Sequence, residues 1–131
     1  MSTKIVKSLS EWREILTPDV FRITREKGTE YPGTGEFLHH NQDGSYQCIC
    51  CGDVLFNSNS KFDSGCGWPS FDDSIEGKVE YVKDTSMGMV RIEIVCAHCD
   101  SHLGHVFDDG PTETGKRYCV NSLSLSFNDE K

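Results

Sequence analysis

Cys48-Ile49-Cys50-Cys51 and Cys96-Ala97-His98-Cys99 are two C-x-x-C motifs, and 44 residues lie between Cys51 and Cys96. Each motif can form a tight turn that directs two thiolates toward one point. Two such turns supply the four tetrahedral ligands of a closed structural zinc site. The spacer is longer than the ~15–20 residues of a simple finger, so a sheet has to bring the two turns together. The sequence therefore predicts one Zn²⁺ bound by Cys48, Cys51, Cys96 and Cys99, which closes a long loop and leaves no catalytic coordination position.

Other readings of these motifs remain. One C-x-x-C pair could be a redox dithiol while the other is buried in the core. Cys50 and His98 lie inside the motifs and could compete as ligands, but their spacing does not fit the paired pattern.

Composition limits the class of protein. The chain has 131 residues, which fits one domain, and a formal charge of −8 argues against a general binder of phosphate backbones. No apolar run reaches the ~18 residues of a membrane span, and the N-terminal residues lack the apolar core of a signal peptide. We therefore expect a cytoplasmic protein without membrane or nucleic-acid partners. Seven cysteines in a reducing compartment indicate metal binding or chemistry rather than a disulfide framework.

The first 28 residues are typical of a helical segment. Leu9, Trp12 and Leu16 share a helix face, and Ser8 with Glu11 matches a capping box. A second helix is predicted from Thr17-Pro18-Asp19, with Gly28 as its stop.

The rest of the chain is typical of strands and turns. Val79 to Lys83 is rich in β-formers. Val90, Ile92 and Ile94 alternate with Arg91 and Glu93, which predicts a strand with one solvated face. In Ser122–Phe127, apolar residues and serines alternate, which predicts another strand. We expect a mainly β fold with an antiparallel core, short N-terminal helices on that core and cysteine turns joined by zinc, in one domain over 1–131.

Three cysteines remain after the four ligands are assigned, and Cys119 is one of them. In a regular strand Arg117, Cys119 and Asn121 share a face, because side chains repeat every two residues. A guanidinium beside a thiol favours the reactive thiolate. The same register extends the face to Leu123 and the apolar residues after it, so a buried core cysteine remains an equal alternative.

Cys66 lies in the glycine-rich stretch Ser64-Gly65-Cys66-Gly67-Trp68-Pro69-Ser70-Phe71. Flanking glycines let the loop move, and a mobile thiol can attack an oxidised partner thiol. The alternative is a small buried residue in a turn. Trp68 could form the wall of an apolar site or simply pack in the core. His102 and His105 could donate protons near neutral pH or serve structural roles.

These segments together resemble the methionine sulfoxide reductases of the B type over most of the chain. The ordered set that carries the resemblance is Gly-Trp-Pro-Ser-Phe (67–71), His-Leu-Gly-His-Val-Phe (102–107) and Arg-Tyr-Cys (117–119), together with both cysteine pairs. Gly33, where an aromatic residue is expected, and Cys50 inside the first motif depart from the family pattern.

The resemblance implies two antiparallel sheets in a barrel- or tent-like core and a single domain over 1–131 that reduces the R epimer of methionine sulfoxide in proteins or peptides. It implies recycling by thioredoxin through a Cys66–Cys119 disulfide. Apart from the resemblance, we expect a monomer. Residues at matching positions take the family roles: Cys119 as nucleophile, Cys66 as resolving cysteine, Trp68 against the substrate methyl, a polar shell of His102, His105, Asp109, Arg117 and Asn121, and the four zinc ligands. The rival hypothesis is a zinc-knuckle binding module without catalysis.

Overall fold

The computed structural model describes residues 7–128 apart from 32, 39, 41, 86, 87 and 89. Helix α1 spans Leu9–Ile15 and helix α2 spans Pro18–Arg25. The predicted capping box is present, since Ser8 Oγ accepts from the Glu11 amide at 3.2 Å and Glu11 Oε1 accepts from the Ser8 amide at 2.8 Å. Trp12 is buried, but Leu9 is 57% exposed, so the predicted apolar face of α1 is wrong at its first position.

Helix α2 begins as predicted, with Thr17 as N-cap and Pro18 in the first turn. The helix ends at Arg25, a few residues before the predicted stop at Gly28. Lys27 takes the left-handed conformation (φ 58°), and the Gly28 amide donates to the Arg22 carbonyl at 2.9 Å. Gly28 is therefore the second residue beyond the helix cap, in a hydrogen-bonding pattern that satisfies a terminal carbonyl.

Nine strands form two antiparallel sheets within the described residues, which confirms the mainly β fold. The small sheet has the order β2-β1-β9, and the large sheet has the order β3-β4-β8-β7-β6-β5. The strands are β1 Ser45–Cys48, β2 Val54–Asn57, β3 Lys61–Phe62, β4 Ser70–Phe71, β5 Val79–Asp84, β6 Arg91–Cys96, β7 His102–Phe107, β8 Arg117–Val120 and β9 Leu125–Asn128.

Each C-x-x-C motif occupies a hairpin connection. The first follows the end of β1 at Cys48, and the second follows the end of β6 at Cys96. The two turns use the same hydrogen bond, because the Gly52 amide donates to the Cys48 carbonyl and the Asp100 amide to the Cys96 carbonyl, each at 2.8 Å. The prediction of tight turns joined through the sheets is confirmed.

The chain near its C-terminus departs from the predicted strand. Strand β8 ends at Val120, a 3-10 turn spans Ser122–Ser124, and β9 then pairs with β1 in the small sheet. Ser124 holds this turn, since its hydroxyl donates to the His102 carbonyl at 2.8 Å. The apolar residues beyond Asn121 therefore do not extend the face of Cys119.

Strand β6 also departs from its predicted alternation. Val90 precedes the strand and is 71% exposed, Ile92 is 38% exposed, and Glu93 is buried at 3%. Glu93 is buried because it lies between Lys27 and His102, which supply partners for both of its carboxylate oxygens.

Aromatic side chains join the two sheets. Phe56 of the small sheet stacks on Phe71 of the large sheet with ring centroids 4.3 Å apart, and Tyr46 and Tyr118 meet these rings edge-on. All four side chains are buried. Offset and edge-on aromatic contacts of this kind add roughly 0.5–1.5 kcal/mol each beyond their area. None of the helices among the described residues is long and apolar enough to cross a membrane.

Candidate active site and metal centre

Strands β7 and β8 bring the predicted site residues together. Their register places His105 opposite Cys119 and Phe107 opposite Arg117. Position 104 of β7 requires glycine, because a Cβ there would lie 1.9 Å from the Cys119 carbonyl oxygen on β8. The strands form one wall of an inner cavity of about 280 Å³, which is lined by Thr29, Cys66, Trp68, Arg91, His102, Gly104, His105, Phe107, Arg117, Cys119 and Asn121.

Cys66 and Cys119 are in direct contact although 53 residues separate them. Their Sγ atoms lie 2.9 Å apart, and Ser70 Oγ lies 3.3 Å from Cys66 Sγ. The loop that carries Cys66 turns sharply through Gly65 and Gly67, whose φ angles of 75° and 97° favour glycine. The glycines recognised in the sequence therefore position the thiol as well as free the loop.

The two thiols titrate as a pair. The hydrogen bond with Cys119 lowers the pKa of Cys66 to about 4. The hydrogen bond with Cys66, together with burial, raises the pKa of Cys119, and Arg117 acts in the opposite direction. One proton can be shared between the two sulfurs across this contact. The Arg117 guanidinium favours the thiolate form of Cys119.

Arg117 is the cation next to this pair. Its Nη1 lies 2.9 Å from Cys119 Sγ, while Nε and Nη2 donate to the two carboxylate oxygens of Asp109 at 2.7 and 3.0 Å. The hydrogen bond to Asp109 raises the pKa of Arg117, and the same bond lowers the pKa of Asp109. Asp109 is not among the residues that line the inner cavity; it orients Arg117 from outside.

Each histidine has its own carboxylate. His102 Nδ1 lies 2.7 Å from Glu93 Oε2, and His105 Nε2 lies 2.8 Å from Asp84 Oδ2. Lys27 Nζ donates to the second Glu93 oxygen at 3.1 Å. Burial lowers the pKa of His102 despite Glu93, so this imidazole is neutral at pH 7. The sequence pattern revealed neither carboxylate. It placed Glu93 on a solvated face and indicated no role for Asp84. The pairing of β6 with β7 would have indicated that Glu93 faces the histidines.

Trp68 and Asn121 are linked through one backbone segment. Trp68 Nε1 donates to the Glu30 carbonyl, and the Glu30 amide donates to Asn121 Oδ1, both at 3.0 Å. Asn121 Nδ2 in turn donates to the Leu103 carbonyl at 3.1 Å. Asn121 thus holds the segment that fixes the indole, and Gly33 joins it through a hydrogen bond to the Gly67 carbonyl at 2.8 Å. The role of Glu30 carried no sequence signal.

Four cysteine sulfurs form a second cluster. The Sγ atoms of Cys48, Cys51, Cys96 and Cys99 all lie within 4.8 Å of one another. Two of their separations are 3.5 and 3.6 Å, near the roughly 3.8 Å edge of a tetrahedron built on Zn–S bonds of about 2.3 Å. This donor set fits a metal ion that prefers thiolates.

The neighbours of this cluster also suit thiolates. Arg25 Nη2 donates to Cys99 Sγ at 3.3 Å, and the His98 amide donates to Cys96 Sγ at 3.4 Å. The His98 ring does not join the four sulfurs; its Nδ1 lies 3.3 Å from Asp53 Oδ2. Cys50 is likewise outside the group of four, which agrees with the paired spacing.

Two contacting thiols share a cavity with an arginine and two histidines, apart from a four-sulfur cluster in a two-sheet β fold, and this arrangement defines a thiol-dependent oxidoreductase. Residues 16–129 match the SelR domain model, and the chain belongs to this family. It is 56% identical over 129 residues to a peptide methionine sulfoxide reductase MsrB of Chromohalobacter salexigens, with 97% of each chain covered. A protein of the same name from Synechococcus sp. (strain RCC307) is 59% identical over 124 residues, covering 94% of this chain and 91% of that one.

A solved structure gives a more distant likeness. The crystal structure of the Mis18 'Yippee-like' domain superposes with a TM-score of 0.55 at 20% identity, covering 69% of this chain and 99% of that one. This likeness concerns the fold alone. The family assignment confirms the resemblance found in the sequence and favours an enzyme over the non-catalytic binding module.

Proposed function

We propose that this chain reduces the R epimer of methionine sulfoxide in peptides or proteins, with Cys119 as nucleophile and Cys66 as resolving thiol. The reaction class follows from the family, whose relatives are named peptide methionine sulfoxide reductases. The observation that carries the assignment of roles is the Cys66–Cys119 contact of 2.9 Å inside a cavity that also presents Arg117 and two histidines.

The first step forms the nucleophile. Cys119 ionises beside Arg117, whose Nη1 at 2.9 Å stabilises the thiolate. The Cys119 thiolate then attacks the sulfoxide sulfur, which becomes electrophilic as its oxygen is protonated.

The histidine wall supplies the proton. His105 lies opposite Cys119 in the β7–β8 pair, and its ring centroid is 5.8 Å from that of His102. Both imidazole rings line the inner cavity. In the strand pairing, His105 lies closer than His102 to Cys119. Protonation of the sulfoxide oxygen by His105, with His102 behind it, leads to methionine and a sulfenic acid on Cys119.

Trp68 holds the substrate. Its indole is fixed at Nε1 by the Glu30 carbonyl, so the ring presents a rigid apolar surface to the inner cavity. The substrate methyl rests on this surface while the sulfoxide oxygen points to the histidines. With the methyl and the oxygen held, the two epimers differ by exchange of the side-chain methylene and the lone pair. The fixed position of Cys119 is the third constraint, and it selects one epimer.

Cys66 completes the turnover. Its thiol attacks the sulfenic sulfur, water leaves with the sulfenic oxygen, and a Cys66–Cys119 disulfide forms. The overall balance is one sulfoxide and two thiols giving methionine, one disulfide and one water. A thioredoxin-type dithiol then reduces the disulfide by exchange.

The four-sulfur cluster holds one Zn²⁺ in this proposal. A four-thiolate zinc supplies structural cross-linking and has no open coordination position. Cys48 and Cys51 belong to the β1–β2 turn, and Cys96 and Cys99 to the β6–β7 turn, so the ion joins the small sheet to the large one. Buried donors and the Arg25 contact to Cys99 support this assignment.

The domain organisation, compartment and oligomeric state of the protein are also part of the proposal. The chain would form one domain in which the N-terminal helices pack on the β core, as the Arg25 contacts to Cys99 support; residues 1–6 and 129–131 of the predicted domain lie outside the described residues. We propose a cytoplasmic monomer that repairs oxidised methionine, since the chemistry needs a reducing compartment to return Cys66 and Cys119 to thiols.

Single-turnover assays on resolved epimers test the assignment. Reduced protein is mixed with one equivalent of the R or the S sulfoxide without reductant, and the methionine formed is counted. We expect one equivalent from the R epimer in the wild type and in Cys66→Ser, and none in Cys119→Ser. Thioredoxin-driven cycling is expected in the wild type alone. Methionine from Cys119→Ser, or equal use of both epimers, would contradict the proposal.

A further inference from the structure

Cys66 borders two cavities, whereas Cys119 borders one. Besides the inner cavity, Cys66 lines an outer cleft of about 460 Å³, whose other lining residues are Phe62, Asp63, Ser64, Asp109, Pro111 and Arg117. Cys119 lines the inner cavity, is 9% exposed and is not among the residues that line the outer cleft. An incoming thiol can therefore reach Cys66 from the outer cleft, where Cys119 is covered.

We propose that the outer cleft is the docking surface for the thiol reductant, and that the reductant attacks Cys66, not Cys119, of the oxidised pair. The inference rests on the proposed function, because it needs the Cys66–Cys119 disulfide. It specifies which sulfur is attacked, from which side the reductant approaches and which surface binds the reductant.

The direction of exchange supports this choice of sulfur. Thiol–disulfide exchange needs the incoming sulfur, the attacked sulfur and the leaving sulfur nearly in line. Cys66 lines the outer cleft, so an incoming thiol can reach its sulfur from that cleft. Cys119 is buried on β8 between β4 and β7 and, of the two spaces, lines the inner cavity, which the proposed function assigns to the sulfoxide.

The leaving group supports it as well. A thiol with a lower pKa leaves faster. When Cys66 is in a mixed disulfide, the hydrogen bond that raises the pKa of Cys119 is gone, and Arg117 at 2.9 Å remains to stabilise its thiolate. Asp109 keeps the guanidinium in place through its two hydrogen bonds.

The exchange balances in two steps. The reductant thiolate forms a bond to Cys66 Sγ, the Cys66–Cys119 bond breaks, and its electron pair stays on Cys119. The second thiol of the reductant then attacks the reductant's own sulfur and releases the Cys66 thiolate. One disulfide is reduced and one is formed on the reductant.

The lining of the outer cleft specifies the partner. Phe62 and Pro111 offer apolar contact. The lining also carries two carboxylates, Asp63 and Asp109, against the single guanidinium of Arg117, with Lys61 near Asp63 but outside the lining. A thiol carried on an apolar segment with a positive charge nearby fits this surface, while an anionic thiol is disfavoured.

Trapping of the mixed disulfide tests the attacked sulfur. Diamide forms the Cys66–Cys119 disulfide without sulfoxide, and cysteamine is then added, with acid quenching, alkylation and peptide mass analysis at early times. We expect the cysteamine adduct on Cys66 and the alkyl group on Cys119. An adduct mainly on Cys119 would overturn the inference. Failure of methionine R-sulfoxide to form the same disulfide would instead overturn the proposed function.

Charge-matched thiols test the surface. Cysteamine and 3-mercaptopropionate are compared at equal thiolate concentration for the rate of disulfide reduction. We expect cysteamine to be faster, and Asp63→Asn to reduce the rate ratio by about twofold to fourfold at low ionic strength. The Asn side chain keeps the acceptor for the Gly65 amide, so the loop is preserved. Glu76→Gln, which removes an exposed carboxylate outside both cavities, is the matched control. An unchanged ratio in Asp63→Asn would sink the assignment of the surface.

Discussion

Arg117→Met removes the cation that stabilises the Cys119 thiolate. Arg117 Nη1 lies 2.9 Å from Cys119 Sγ, and the Arg117 side chain is 20% exposed. Coulomb's law at an effective dielectric constant of 20 gives about 4–6 kcal/mol for a unit charge pair at this range. Asp109 offsets part of this attraction because its carboxylate binds the same guanidinium. About 2–3 kcal/mol remains, which corresponds to a loss of roughly 30- to 160-fold in the rate of attack on the sulfoxide.

The assay is the rate of methionine formation in a single turnover with the R epimer, because that rate does not depend on the reductant. Arg117→Lys keeps the charge but loses the two-point contact with Asp109, so we expect it to fall between the wild type and Arg117→Met. Lys116→Met is the control, since it removes an adjacent exposed cation that pairs with Asp108 at 3.6 Å. An Arg117→Met rate within threefold of the wild type, in a protein of unchanged thermal stability, would refute the reasoning.

Three further changes test other parts of the structure. Cys99→Ser should release the bound zinc and lower the melting temperature, while Cys50→Ser should leave the metal content at one; element analysis and thermal denaturation check both. Gly104→Ala should unfold the protein or displace β8, because its Cβ would meet the Cys119 carbonyl oxygen at 1.9 Å; stability and single-turnover rate should fall together. Glu93→Gln should lower the pKa of His102 further, because Glu93 raises it against burial. Below pH 6.5, His102 binds a proton more readily in the unfolded chain than in the folded one. The free energy of unfolding is therefore unaffected by His102 above pH 6.5 and falls as the pH decreases below that value. Chemical denaturation between pH 5 and 8 should show a larger fall for Glu93→Gln than for the wild type.

The four-sulfur cluster was predictable because the spacing of the cysteines within each pair is a local property. Cys48 and Cys51, and likewise Cys96 and Cys99, are each close in sequence, and a hairpin turn holds each pair. Helix α1 was predictable for a similar reason, since the capping box of Ser8 and Glu11 lies within one turn. Where the chemistry is set by residues a few positions apart, the sequence pattern was sufficient.

The supporting carboxylates were not predictable in that way. Glu93 is predicted to be a solvent-facing strand residue until β6 is paired with β7, which places it opposite His105 and brings its carboxylate into contact with His102. The continuous strand expected from Ser122 onward failed for a related reason. Ser122–Ser124 form a 3-10 turn because Ser124 binds the backbone of β7, and an alternating pattern contains no information on that partner. Both errors come from contacts between segments distant in sequence.

The two cysteine clusters are coupled through one hairpin. Cys99 is followed by Asp100, Ser101 and then His102, so the second metal turn leads directly into the strand that carries the histidine wall and Gly104. The Cys96 amide donates to the Ser101 carbonyl at 2.9 Å, which locks the start of β7 to the turn. A metal ion that fixes Cys96 and Cys99 therefore fixes the origin of β7, and through β7 the position of His105 opposite Cys119. A zinc ion held by four thiolates would have no open coordination position. Its effect on the reaction would be the placement of these side chains, and metal removal should move the histidine wall before it alters the Cys66–Cys119 contact.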